Sequence, residues 1–357
     1  MGKSGGANRT RFAVVFGVLV LAFVVTMSCT SKEVREWEAA QAENSVSGYE
    51  GFLAAFPESE YRPEAENLIL DLLPLIAFTS QRDGSFTAYT MRYDGSQETR
   101  ISEENLKATD AVMSPDGTRI AYVTDRDGDA EIWVVNSDGT DAVRLTDNQF
   151  NELSPAWSPD GQKIAMMSDR DGNPEIYVMN ADGKDPVRLT DHPGADLFPT
   201  WSPDGSRIAF TVHREGEKRV QVMSTAVEDF ATTGGYFDLK SLEGDIWVIN
   251  ADGSGAEVLV SDPSNNARPT WSPDGHQIVF NSNRDGDQEI YAINIDGTGL
   301  TRLTNRKGVD RSPFCYQKNG EILFTCDEGG TINVWMMEAD GSEPRQMTEA
   351  PEDDMMG

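Results

Sequence analysis

At 357 residues the chain has room for two or three average domains or for one long repeat fold. Its 60 acidic residues against 30 basic ones give a formal net charge of -30, which repels phosphate backbones and excludes nucleic-acid binding as a role. The plain reading of that charge is a solvated surface that keeps the protein soluble. The first 28 residues contain no acid. Lys3, Arg9 and Arg11 precede an apolar run from Phe12 to Met27, and Ser28 stands before Cys29. This three-part form is a secretory signal, and the run falls short of the roughly 20 apolar residues that a spanning helix needs.

A small residue directly before a cysteine resembles the lipobox of bacterial lipoproteins. The resemblance implies that residues 1–28 are a lipoprotein-type signal peptide and that Cys29 becomes a lipidated N-terminus tied to a membrane of the cell envelope, on its periplasmic side or at the cell surface. Thr26 and Met27 depart from the pattern, and ordinary cleavage or an uncleaved anchor are the other readings. Residues 29–74 read as helix, with segments from Glu33 to Glu43, Ser47 to Phe56 and Pro63 to Leu73 separated by Asn44-Ser45 and Phe56-Pro57. Tyr49, Phe52, Leu53 and Phe56 recur at helical spacing, and YEGFLAAFPESEYRPEA resembles the helical hairpins of tetratricopeptide-like envelope lipoproteins. At this length the segment reads as a helical spacer whose apolar stripe is packing.

From Ile76 a repeat takes over. The turn Ser-Pro-Asp-Gly begins at Ser114, Ser158 and Ser202, spaced by 44 residues, and again at Ser272. Each unit reads as four strands joined by tight turns: a run ending at Pro-Asp-Gly, a run such as IAYVTD, a DRDG turn, a run such as EIWVVN, an S/A-D-G turn and a run such as AVRLT. Alternating Val, Ile, Tyr and Trp supply two buried faces, as blades stacked side by side require. The second strands start at Ile76, Ile120, Ile164, Ile208, Ile278 and Ile322, which predicts an all-β, six-bladed β-propeller over residues 75–357 behind a small N-terminal helical segment. Blade four carries an insertion at about 213–244, locally basic at REGEKR, and blade six replaces the proline turn with Gln317-Lys318-Asn319-Gly320. The first unit lacks a leading strand. The tail TEAPEDDMMG aligns with TDHPGADLFP, so Asp354 to Gly357 is expected to begin that strand and close the ring.

The units SPDGTRIAYVTDRDGDAEIWVVNSDGTDAVRLT and SPDGQKIAMMSDRDGNPEIYVMNADGKDPVRLT resemble the repeat of the TolB-type propeller family. The resemblance implies a partner-binding propeller, since TolB binds the peptidoglycan-associated lipoprotein there. Helix and anchor stand where that family has an α/β domain, which weakens the carry-over.

Repeat topology places the DRDG turns, the inter-blade connections and the blade-four insertion on one face. Counting along the repeat brings Glu152, Asp196, Asp310 and Asp354 to equivalent positions, with Ala108 and Asn266 at the other two. An acidic partial ring at one mouth of the channel is the expected partner-binding site, suited to the basic or amide groups of a partner segment or to a cation. The alternative is that each carboxylate bonds turn amides where blades meet. Asp125 to Glu131 invites a calcium reading, but Gly128 falls too early for an EF-hand-like loop, and a plain hairpin turn accounts for the residues. No cofactor is otherwise called for. Cys315 and Cys326 lie on neighbouring strands of one hairpin, where they either form a disulfide or remain free thiols. Enzyme signatures such as G-x-S-x-G, H-E-x-x-H and a P-loop are missing. The expected function is therefore an exported, lipid-anchored propeller that binds an envelope protein or a peptidoglycan-associated partner and is not an enzyme. A polysaccharide- or peptide-processing enzyme with its site in the channel, and a structural envelope component, are the alternatives.

Overall fold

The computed structural model describes residues 31–103, 106–213, 244–317, 320–349 and 353–356. The signal segment, Cys29, nearly all of the blade-four insertion and Asn319 lie outside them. The chain divides into two compact units after Pro74.

Among the described residues the first unit has three short helices, Lys32–Glu43, Val46–Ala55 and Arg62–Leu72. Two serines start the first two: the Ser31 hydroxyl accepts the Val34 N–H at 3.1 Å and the Ser45 hydroxyl accepts the Gly48 N–H at 2.9 Å. Asn44 ends the first helix in the left-handed region. The expected apolar stripe is packing: Tyr49 and Phe52 are buried with Trp37, Ala40 and Ala65, and Leu53 and Phe56 cover them. Trp37 stacks on Tyr61 with ring centroids 5.1 Å apart.

The second unit is a six-bladed β-propeller of four-stranded antiparallel sheets. Blade three shows the pattern: Glu152–Trp157, Lys163–Ser168, Glu175–Asn180 and Val187–Arg188, in spatial order. The other inner strands are Thr109–Met113 in blade two, Asp196–Trp201 in blade four, Asn266–Trp271 in blade five and Asp310–Cys315 in blade six. Blade one takes its inner strand from the tail. Asp354–Met355 pairs antiparallel with Leu75–Ser80, Ser80 opposite Asp354, and closes the ring.

The turns follow from local chemistry. In each Ser-Pro-Asp-Gly turn the serine hydroxyl donates to the aspartate, at 2.6 Å for Ser114 to Asp116, and the same carboxylate accepts the N–H beyond the glycine. Gly117 sits at φ 72°, where a side chain would be strained. The A-D-G turns need glycine for a second reason: a Cβ on Gly183 would lie 2.5 Å from the Leu145 carbonyl oxygen of the preceding blade. Tryptophans join the blades. The indole N–H of Trp157, Trp201 and Trp271 donates to Val112, Ala156 and Thr200 of the blade before, and all three rings are buried. Cys315 holds that place in blade six, its backbone N–H donating to the Thr270 hydroxyl.

The disulfide reading of Cys315 and Cys326 is corrected by register. Cys315 pairs with Ile322, and Cys326 pairs with Asp310 at the other end of the same hairpin. At about 3.3 Å of rise per residue the two cysteines are separated by more than 10 Å along the strands, beyond disulfide reach. Both are buried and free.

Candidate functional site: the inner strands and the channel

The four predicted acids occupy one layer. Glu152, Asp196, Asp310 and Asp354 each begin an inner strand. Their backbone N–H groups donate to Ala130, Pro174, Gln288 and Ile332, each on the preceding blade. Ala108 makes the same bond to Phe86 in blade two, and Asn266 begins the strand of blade five. The expectation that they line an open mouth is corrected: all four acids have 0% exposure. They are sealed where one blade meets the next.

The DRDG-type turns serve these acids. Arg170 reaches inward over the Tyr177 ring, 4.7 Å from its centroid, and its guanidinium donates to Glu152 at 2.9 Å. Ser168 and Asn148 donate to the same carboxylate. Arg82 lies over Tyr89 and donates to both oxygens of Asp354, at 2.9 and 3.1 Å. Arg284 lies over Tyr291 and donates to the Asn266 side-chain oxygen at 2.8 Å. The aspartate before the glycine accepts the tyrosine hydroxyl in three of these turns, in the pairs Tyr89 with Asp83, Tyr177 with Asp171 and Tyr291 with Asp285. These turns thus spend their charges within the propeller wall. Among the described residues no group of three or more His, Cys, Asp or Glu is arranged to hold a metal ion.

Two blades break the scheme. In blade four the matching arginine is Arg214, outside the described residues. In blade six the position is Glu328, and Arg306 comes instead from the preceding connection to stack on Trp335 at 3.6 Å and pair with Glu328 at 2.6 Å. Among the described residues neither oxygen of Asp196 or Asp310 accepts a well-formed hydrogen bond. The nearby Thr190 and Thr304 hydroxyls donate to Glu175 and Glu289 instead. Burial pushes Asp196 up to about 8, with Glu175 adding to the rise, and Asp310 up to about 6, with Glu289 adding. Glu152 is pushed to about 7, by burial first and by Glu131 beside it.

A second layer lies two residues further along the inner strands, where Phe198, Arg268 and Ser312 are themselves buried. Five of the inner strands break register there with a bulge. The bulged residues Asp110, Ser154, Phe198, Arg268 and Ser312 all lie at positive φ, between 51° and 55°. Five non-glycine residues held in a sparsely populated backbone region at one level of the molecule are a costly arrangement, and bulges of this kind re-aim side chains. Neighbouring members touch. The Arg268 guanidinium lies over the Phe198 ring at 4.1 Å, and Asp110 accepts the Ser154 N–H at 3.0 Å. Asp110 and Arg268 belong to blades two and five, opposite each other in a ring of six, so their attraction acts across the channel; it partly offsets the rise that burial imposes on Asp110. The layer offers one acid, one base, hydroxyls and an aromatic face, which suits recognition.

Sequence reasoning missed this layer, although a signal was present. Ser154, Phe198, Arg268 and Ser312 each precede a proline inside a strand, and proline within a strand marks an edge or a bulge. Counting along the repeat to the acids passed over the residues two positions on.

Comparison with known proteins agrees with this architecture. Residues 129–228 match the Tricorn protease N-terminal beta propeller domain and residues 222–355 match the TolB beta propeller domain. No curated protein sequence matches the chain. The fold is similar to the crystal structure of TolB from Acinetobacter baumannii, at 21% identity and a TM-score of 0.66, covering 83% of this chain and 72% of that one. The putative TolB from Agrobacterium tumefaciens is similar at 18% identity and 0.58, over 77% of this chain and 89% of that one. An oligogalacturonate lyase in complex with manganese shares the fold at 14% identity and 0.51, over 76% and 73%.

Proposed function

We propose that this TolB-type β-propeller is a binding scaffold of the bacterial cell envelope, tethered to a membrane through a lipidated Cys29, whose channel receives an envelope protein or peptidoglycan-associated partner. The observation that carries this reading is the layer of bulged inner strands: Asp110, Ser154, Phe198, Arg268 and Ser312 are held at positive φ at the channel level. A purely structural ring has no need of such backbone strain, and strain of this kind gathers at sites of recognition. The likeness to two TolB structures supports a partner-binding role over a catalytic one, and the three histidines are dispersed along the sequence. A glycan- or peptide-processing enzyme is the second reading, favoured by the fold shared with a lyase.

The test is recovery of envelope proteins on immobilised wild type and on Arg268→Ala and Asp110→Asn variants whose circular dichroism matches wild type. Partner recovery is expected to fall in both variants, and unchanged recovery refutes the channel as the site. Cys29→Ala is expected to move the protein from the membrane fraction to the soluble one. Turnover of oligosaccharide or peptide by the purified protein overturns the scaffold reading.

A further inference from the structure

The inner-strand layer invites a comparison of the six blade junctions. At each junction the residue that begins an inner strand lies beside the residue that begins, or nearly begins, the third strand of the preceding blade. The shared backbone bond fixes this neighbourhood at Ala108, Glu152, Asp196, Asp310 and Asp354, and the Asn266 side-chain amide donating to the Gly244 carbonyl fixes it in blade five. The pairs are Ala108 with Thr87, Glu152 with Glu131, Asp196 with Glu175, Asn266 with Asp245, Asp310 with Glu289, and Asp354 with Asn333. Three junctions set two acids side by side, and three set at most one.

We propose that the three acid–acid junctions, between blades two and three, three and four, and five and six, share a proton and hold tightly in mildly acidic surroundings but loosen above neutrality, while the other three junctions do not respond.

Several observations support this independently of what the channel binds. The inner acids and their third-strand neighbours are buried to 2% exposure or less, so two full charges side by side lose hydration that water would otherwise provide. Asn148 bridges one pair, its backbone N–H to Glu131 and its side-chain amide to Glu152, both at 2.8 Å. In the other two pairs the Thr190 and Thr304 hydroxyls are directed to Glu175 and Glu289, and among the described residues no donor makes a well-formed hydrogen bond to either oxygen of Asp196 or Asp310. A proton on the aspartate relieves that state.

The charged groups facing each pair leave the balance acidic. Arg144 and Arg170 face Glu131 and Glu152, but Arg144 is shared with Asp127 and Asp147. Arg188 faces Glu175 and is shared with Asp171 and Asp191, while Asn173 donates to Glu175 from the adjoining turn. Arg302 faces Glu289 and is shared with Asp285, Arg306 near Asp310 is committed to Glu328, and the Cys326 thiol lies opposite Asp310. The arginine of blade four, Arg214, lies outside the described residues.

Glu152, Asp196 and Asp310 hold their protons to about 7, 8 and 6 in the folded state, whereas an unfolded carboxyl releases its proton near 4. The folded state therefore binds more protons than the unfolded chain between these values. The stabilisation is fully present below about pH 4 and is lost as pH rises through 6 to 8.

Amide hydrogen exchange on the intact protein, corrected for intrinsic rates, reads each junction separately. Protection of the Glu152 and Asp196 amides is expected to fall about tenfold or more between pH 5.5 and pH 8.5, and that of the Asp310 amide about fourfold, while the Ala108 and Asp354 amides hold. Asp196→Asn places beside Glu175 the amide that Asn266 already places beside Asp245. It is expected to abolish the response at position 196 and leave those at 152 and 310. Equal change at all five amides, no change at any, or a backbone amide at position 196 that still responds in the Asp196→Asn variant overturns the proposal. Should Asp196→Asn fail to fold, Asp310→Asn and Glu152→Gln make the same comparison.

Discussion

The ring closes on two residue pairs, Thr79 with Met355 and Ser80 with Asp354, where the inner strand of blade three runs over six residues. So short a strand needs a fastening, and Arg82 supplies one. Its guanidinium donates to both oxygens of the fully buried Asp354 and lies 5.5 Å over Phe78 and 5.0 Å over Tyr89. Arg82→Ala strands a buried carboxylate, which costs about 3–5 kcal/mol. The lost aromatic contacts add roughly 0.5–1 kcal/mol each. For a unit of this size the melting temperature should fall by roughly 2 °C per kcal/mol, so by about 8–14 °C. The double variant Arg82→Ala, Asp354→Asn removes the stranded charge as well as the cation and should recover about half of the loss or more. Urea unfolding followed by tryptophan fluorescence gives all corners of the cycle. A cost below about 1 kcal/mol for Arg82→Ala refutes the reasoning, and so does a double variant no more stable than that single one, since the loss would then not come from an uncompensated charge.

Two further outcomes follow from the packing. Trp271→Phe keeps most of the buried volume but loses the indole bond to Thr200 and weakens the stack with Arg207; it should cost about 1–3 kcal/mol in urea unfolding, whereas a neutral result would show that the indole N–H contributes nothing to blade joining. In a chain beginning at Thr30, Cys315 and Cys326 should resist a thiol reagent while folded and titrate as two free thiols in denaturant, because both are buried and burial pushes each thiol up to about 12; a single slow disulfide in the native protein would contradict the strand register.

Much of this protein was legible without coordinates. Proline and Asp-Gly turns at a fixed spacing, separated by runs rich in Val, Ile, Tyr and Trp, specify four antiparallel strands per unit. Six such units must bury two faces each, so a closed ring follows from local turn chemistry and repetition. The placement of Glu152, Asp196, Asp310 and Asp354 in one layer was also legible, because register is inherited from one repeat to the next. Their exposure was not. Whether a carboxylate at the start of an inner strand meets water or the neighbouring blade depends on how sheets twist and stack, and only the folded ring showed these four sealed against their neighbours. The replacement of an arginine by Glu328, answered by Arg306 from a different loop, is likewise visible only where the two side chains meet over Trp335. The bulges lie between these cases: proline marked them in the sequence, but the direction in which Asp110 and Arg268 point is set by a positive φ that tertiary packing imposes, and their attraction across the channel exists only because opposite blades close into a ring. Local chemistry thus decided the blades, and ring closure decided which of their charges face water, one another, or the channel.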